Sequence, residues 1–231
     1  LGRFTNDRAK VAKMLPLPKF LFAIRLNRSQ PIFCMKSFCR LAFVFGLSCA
    51  FSTPQPSGKI YFRNPSFEGP PGAGKSPAGW QSGTPGSTPD IMPGAWGIDF
   101  APQEGSTCIG LVTREDGTRE DISQALAEPL KGGNCYKFTI SLAHAASYVG
   151  YNKPIRLRVW GGSSKSERAQ LLSSSPLIEH ADWRTYKFEC LPARDVRYLT
   201  FEAYFAPGVT FKYKGNILLD NCSPIEKCER A

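Results

Sequence analysis

Only two histidines, His144 and His180, occur among the 231 residues, and neither lies in a metal-binding or nucleophile motif. No Cys-x-x-Cys spacing exists, which argues against a zinc or redox site. Ser123 and Ser141 lack the strand–turn–helix setting of an activated serine. Glycoside hydrolysis needs two carboxylates about 5–10 Å apart. Glu115 and Asp116 are adjacent, so on a strand they would point to opposite faces. With Arg114 before them and Gly117 after, they read instead as a polar loop that lines a site. An enzyme is not expected. Long helical periodicity is also missing, apart from a short turn of helix expected at Ser166–Leu172.

Acidic residues are scarce at one end. Residues 1–60 hold ten Lys/Arg and one acid, Asp7, so of 29 basic and 19 acidic residues, 19 and 18 remain in 61–231. The net charge of +10 therefore belongs almost wholly to the leader. A near-neutral remainder gives no support for nucleic-acid binding. The leader reads as an export signal. Met35-Lys36-Ser37-Phe38-Cys39-Arg40 supplies a start and a positive n-region, and Leu41–Phe51 an apolar run of eleven residues. That run is too short to span a bilayer core of about 30 Å. Residues 35–52 are expected to be a signal peptide and 53–59 a linker. Residues 1–34 are expected to be upstream sequence from an over-extended start, with a basic N-terminal arm as the alternative. Cys49 stands where a lipoprotein cysteine would, but Gly46-Leu47-Ser48 matches the usual Leu-small-small run poorly. A secreted or cell-envelope location is expected ahead of a lipid anchor.

Export puts the cysteines in an oxidising setting. Outside the leader stand Cys108, Cys135, Cys190, Cys222 and Cys228, an odd number that leaves at least one thiol free. Cys222 and Cys228 could close a short terminal loop. Cys135 and Cys190 flank strand-like runs and could pair or stay buried thiols.

What the chain does have is alternation of period two. Tyr136, Phe138, Ile140 and Leu142 alternate with polar or small residues, as do Leu157 and Val159, then Tyr186, Phe188 and Cys190, then Leu199, Phe201, Ala203 and Phe205. Ser106–Thr113 and Asn216–Asn221 are further runs. This is the pattern of antiparallel sheets with one face buried. The expected fold is all-β, an antiparallel sandwich forming one domain over 60–225, with 226–231 as a tail. The Gly/Pro-rich stretch 69–97 lacks periodicity and is expected to lie over the sandwich, anchored by Trp80 and Trp96.

Two motifs bracket these runs, Asn64-Pro65-Ser66-Phe67-Glu68 and Asn216-Ile217-Leu218-Leu219-Asp220-Asn221. If the first and last strands are neighbours, Glu68 and Asp220 meet and could hold a structural Ca2+, which takes about 6–8 oxygen ligands. For ligand binding, Trp160 shares the non-core side of its strand with Arg156 and Arg158, and Tyr148 and Tyr151 stand in a loop just upstream. With Trp96, Arg114 and Arg158, these aromatics compose a candidate groove, since sugar C–H faces stack on aromatic planes. Packing anchors for the same aromatics are the plain alternative.

Taken in order, Asn64-Pro65-Ser66-Phe67-Glu68, Pro77-x-x-Trp80, Ile122-Ser123-Gln124 with Leu126 and Leu130, Gly133-x-Cys135-Tyr136-x-Phe138, Asp182-Trp183-x-x-Tyr186 and Leu218-Leu219-Asp220-Asn221 form a pattern. It resembles the galactose-binding-like jelly-roll domains, including many carbohydrate-binding modules. A narrower likeness is to exported Bacteroidetes proteins labelled gliding-motility-associated. It rests on the runs Thr88–Gly97, Thr113–Gly117 and Leu157–Gly162. The resemblance implies a jelly roll and a structural calcium, with Glu68 and Asp220 at the matching positions. A non-catalytic domain that binds a glycan or glycoconjugate is expected, with no nucleic acid and no transmembrane span. A structural or adhesive envelope protein that binds a protein partner is the alternative.

Overall fold

The computed structural model describes residues 58–229. The expected upstream segment, signal peptide, most of the linker, Cys49 and the last two residues therefore lie outside the described residues. Twelve strands are found there and no helix: β1 (Lys59–Ile60), β2 (Asp90–Met92), β3 (Cys108–Thr113), β4 (Asp121–Leu130), β5 (Tyr136–Ala143), β6 (Lys153–Pro154), β7 (Arg156–Gly162), β8 (Gln170–Ser174), β9 (Arg184–Cys190), β10 (Val196–Tyr204), β11 (Gly215–Asp220) and β12 (Ile225–Lys227). The helical turn expected at Ser166–Leu172 is instead a turn leading into β8. Pairing of β8 with β7 overrides the local helix-forming composition.

Eight strands form two four-stranded antiparallel layers, β3-β11-β5-β9 and β4-β10-β7-β8. Among these eight, taken in chain order from β3 to β11, the chain changes sheet at every step except between β7 and β8; short β6 adds a parallel pairing to β11. That order is a jelly roll. The larger sheet gains β2 at one edge, while β12 continues the line of β11 along β5 and pairs with β1. First and last strands are neighbours, Ile60 facing Ile225. Pro129 is accommodated in β4 because that strand is an edge, with β10 its partner.

The alternation seen in sequence sorts the side chains between faces. Leu157, Val159, Leu199, Phe201 and Ala203 of the smaller sheet meet Phe138, Ile140, Leu142, Ile217 and Leu219 of the larger one. Phe62, Phe67, Trp80, Phe138, Phe188 and Phe201 form the aromatic centre, linked pairwise at centroid separations of 4.9–6.2 Å. Trp80 is thus a core anchor, and its indole N–H donates to Asn64 O at 2.9 Å. Trp96 is not: it remains 48% exposed. The stretch 69–97 is more ordered than its composition suggests, since it contributes β2 and a bridge from Gln81 to Ser123.

A second apolar cluster lies on the outer face of the larger sheet. Cys108, Val112 and Leu218 point there and are covered by Met92, Ile98 and Tyr148. A disulfide joins Cys135 to Cys228, and Cys108, Cys190 and Cys222 are buried free thiols. The short Cys222–Cys228 loop and the Cys135–Cys190 pair are both replaced by this bond. Cys222 turns into the core behind Asp220, its N–H donating to Pro65 O, while β12 carries Cys228 along β5 to Cys135.

Candidate functional site

The two bracketing motifs come together through a loop neither of them contains. Glu68 Oε1 accepts from the N–H groups of Ser106 (2.9 Å) and Thr107 (3.2 Å). Asp220 Oδ2 accepts from those of Gln103 (2.7 Å) and Glu104 (3.0 Å), and its Oδ1 from Asn221. One segment, 103–107, is therefore held by both carboxylates. Gly105 takes a positive φ of 68° between them, and a Cβ there would collide with the Glu68 carboxylate. Asn64 holds the other side, donating to Glu68 O and accepting from Glu68 N–H at 2.8 Å each. Asp220 is fully buried, and among the described residues no Lys or Arg pairs with it, with Glu68 or with Glu104. Burial pushes its carboxyl up to about 6 against the pull of its amide donors, and the Glu68 charge adds to the rise. The spot is rich in oxygen and short of side-chain positive charge, and five backbone N–H groups point at its two carboxylates. Among the described residues no three His, Cys, Asp or Glu side chains form a metal-holding group, so backbone carbonyls would have to complete the set.

The outer face of the smaller sheet carries a different kind of site. Between the core-facing residues of β7 and β10, Arg156, Arg158 and Trp160 point outward opposite Tyr204, Glu202 and Thr200. Two loops roof part of this face. Thr84 and Arg168 both bond to Asp121, whose Oδ1 also accepts from the N–H groups of Gly83 (2.7 Å) and Thr84 (3.0 Å). Arg168 reaches Glu202 Oε1 as well (3.3 Å), and Arg119 approaches the same oxygen (3.2 Å). The other oxygen of Glu202 accepts the Trp160 indole N–H at 2.8 Å. Asp121 and Glu202 are almost wholly buried, so these partners are what makes their charge tolerable. A cavity of about 440 Å3 opens here, lined by Thr84–Ser87, Arg114, Gly117–Arg119, Arg168 and Glu202. Its size is in the range of small-ligand pockets.

The sequence-predicted binding residues do not form one cluster. Arg158 and Trp160 share the outer face of the smaller sheet. Tyr148 is 1% exposed in the cluster outside the larger sheet, where its hydroxyl donates to Asp90. Tyr151 packs against Tyr148 at 6.0 Å, and Trp96 lies on the same side, its carbonyl accepting from Val149 N–H. Arg114 stands at the edge between these regions. It lines the cavity while ion-pairing with Glu120 and bonding to Thr88. Arg119, Arg168, Asp121, Glu202 and Tyr204 were missed. The available signal was Glu202, a carboxylate set among the apolar and aromatic residues of β10, which demands a cationic partner once buried; Asp121 opens β4 and gave no such signal.

Glu120, 1% exposed, has a raised carboxyl behind the cavity-lining Arg114. Burial pushes it up to about 7, the Asp90 charge adds to this, and Thr88 and Arg114 oppose it. Folding thus strengthens its hold on a proton relative to the unfolded chain. The associated stability is full below the ordinary Glu value and is lost as pH rises through about 7. Wild type is expected to lose unfolding free energy between about pH 4.5 and pH 7, on the order of 3 kcal/mol from this group, read as a falling melting temperature. Glu120→Gln should flatten that decline, and an unchanged decline contradicts the assignment. His144 is 8% exposed with Nε2 on Asn152 O at 3.2 Å, and burial lowers its pKa. It is a structural histidine.

Comparison with protein-family models and with curated proteins finds no match. Among solved structures, the chain is similar to a cyclase from Fischerella sp. TAU (15% identity, covering 74% of this chain and 98% of that one, TM-score 0.49). It is also similar to the K1 cleaved adhesin domain of Lys-gingipain from Porphyromonas gingivalis W83 (19%, 71% and 96%, 0.45). A third is the CBM22-1 xylan-binding domain of Paenibacillus barcinonensis Xyn10C (13%, 72% and 93%, 0.45). Likenesses this distant add no functional argument to the strand order already described.

Proposed function

We propose that the chain is a non-catalytic glycan-binding module whose site is the outer face of the smaller sheet around Trp160. The observation that carries this is the indole of Trp160, half-buried and fixed by Glu202, beside a cavity rimmed by guanidinium and hydroxyl donors. An aromatic surface with a few oriented polar groups is the arrangement that sugar rings require. A binding role is favoured over a hydrolytic one because Asp121 and Glu202 are already engaged by Arg119, Arg168 and Trp160. Neither is poised as a general acid or a nucleophile. Trp160→Ala is expected to reduce binding on a glycan array at least tenfold while the chain stays folded, with some loss of melting temperature because Glu202 loses its indole donor. Retained binding overturns the site.

The reading includes a structural calcium at Glu68 and Asp220, with carbonyl oxygens of the 103–107 segment completing the set. Bound calcium would supply the positive charge that Asp220 lacks and would tie the chain's opening turn to its closing strand. Calcium at 100 times its dissociation constant would stabilise by about 2.7 kcal/mol. Chelation is thus expected to lower the melting temperature, and calcium but not potassium to restore it. A melting temperature indifferent to chelator contradicts the bound ion.

One observation favours a second reading, adhesion to a protein. On the side opposite Trp160, Trp96 and Val149 are 48% and 60% exposed, next to each other. Trp96→Ala with Val149→Ser would abolish such adhesion without touching glycan binding.

A further inference from the structure

On the reading of this face as a glycan site, we infer that its ligand is an acidic sugar, one whose ring carries a carboxylate or sulfate. Five guanidiniums converge on this side of the molecule: Arg114, Arg119, Arg156, Arg158 and Arg168. Arg114 is matched by Glu120, Arg168 by Asp121, and Arg119 by Glu202. Arg156 and Arg158 are left without any carboxylate partner among the described residues. The chain beyond residue 60 is close to neutral overall, and these two unmatched cations stand two residues apart on one strand face.

Orientation strengthens the point. The Arg158 guanidinium lies 3.2 Å from the centroid of the Tyr204 ring and 6.0 Å from that of Trp160. Stacking fixes the guanidinium plane and leaves its N–H donors along the edge, where a planar oxyanion can take two at once. Those donors have no acceptor in the protein among the described residues, and Nε is sealed from water as well. A sealed donor with no acceptor is costly to maintain, and no protein acceptor among the described residues competes for the Nη groups. Arg156 spends only Nε, on Phe205 O at 3.1 Å. The two arginines also repel each other: burial first, then the Arg158 charge, lowers the Arg156 pKa. An anion at the guanidinium edge would accept from the Nη groups and offset the repulsion between the two arginines. Because Tyr204 is covered by Arg158, Trp160 is the remaining aromatic surface for the sugar ring, and the charged group would point towards Arg158.

The test uses the full chain and isothermal titration with four probes. These are hexagalacturonate, the same oligomer fully methyl-esterified, a sulfated carrageenan hexasaccharide, and single-stranded oligonucleotide of equal charge. Tight binding of the carboxylate or the sulfate probe is expected, and which of the two identifies the anion. Esterification should weaken binding at least tenfold, and Arg158→Gln should lose the same preference. If Arg158→Gln fails to fold, Arg156→Gln should show a smaller loss in the same direction. Equal binding of acid and ester, or binding of neutral array glycans alone, overturns the acidic ligand and leaves the glycan site standing. Equal binding of the oligonucleotide overturns it as general polyanion attraction. No binding to any acidic or neutral glycan overturns both readings.

Discussion

Phe201→Ala is expected to lower the free energy of unfolding by about 3–5 kcal/mol. Phe201 is fully buried at the middle of β10 and touches both layers of the sandwich. Its ring centroid lies 5.4 Å from Trp80, 5.9 Å from Phe62 and 6.2 Å from Phe138. Those neighbours come from the opening turn, the Gly/Pro-rich stretch and the larger sheet, so no single element can shift to fill the space. The loss compares with about 5–15 kcal/mol for a whole domain. Urea titration checks it: a loss under about 1.5 kcal/mol would mean that the centre collapses around the gap. The outer-face site should survive wherever the variant is folded, because Trp160 and Glu202 point away from this centre.

Removal of the Cys135–Cys228 bond is expected to cost about 2–5 kcal/mol. The bond spans 93 residues, nearly the whole sandwich from the start of β5 onwards. In the chain-entropy account a loop of this length is worth about 4–5 kcal/mol, since the unfolded chain is the state it restricts most. β12 makes only short pairings with β1 and β5, so the bond also secures the strand that joins the two ends. Reductant should shift the urea midpoint of the wild type and leave Cys135→Ser/Cys228→Ser unmoved. Cys108, Cys190 and Cys222 are thiols already and add nothing to that difference. A shift of equal size in the double variant would contradict the assignment.

The sandwich was legible wherever a strand alternates apolar and polar residues, as in β5, β7 and β10. β4 was not, because its inward positions include Gln124, whose side chain pairs with the backbone of Arg63 instead of packing in oil. β8 was not, because its residues favour a helix until β7 offers a partner. Glu68 follows the chain's opening turn and Asp220 ends β11, and the structure brings each of them to the segment 103–107. The segment 103–107 that joins them carries no periodic signal. Tyr148 and Trp160 are twelve residues apart in a region rich in aromatics. Proximity along the chain grouped them, whereas the sandwich sends them to opposite outer faces. The same limit explains the disulfide: Cys222 is six residues from Cys228, yet it points into the core.

Nitrogen-resolved NMR of the four indole N–H groups during titration with a glycan identified on the array places the ligand directly. Trp80, Trp160 and Trp183 each donate to a fixed acceptor, Asn64 O, Glu202 and Ala101 O, so their resonances report on separate parts of the molecule. The account predicts a saturable shift of the Trp160 indole resonance, with Trp80, Trp96 and Trp183 left in place. Saturable movement of Trp96 or Trp183 with a stationary Trp160 would put the ligand on the other side of the sandwich and contradict it.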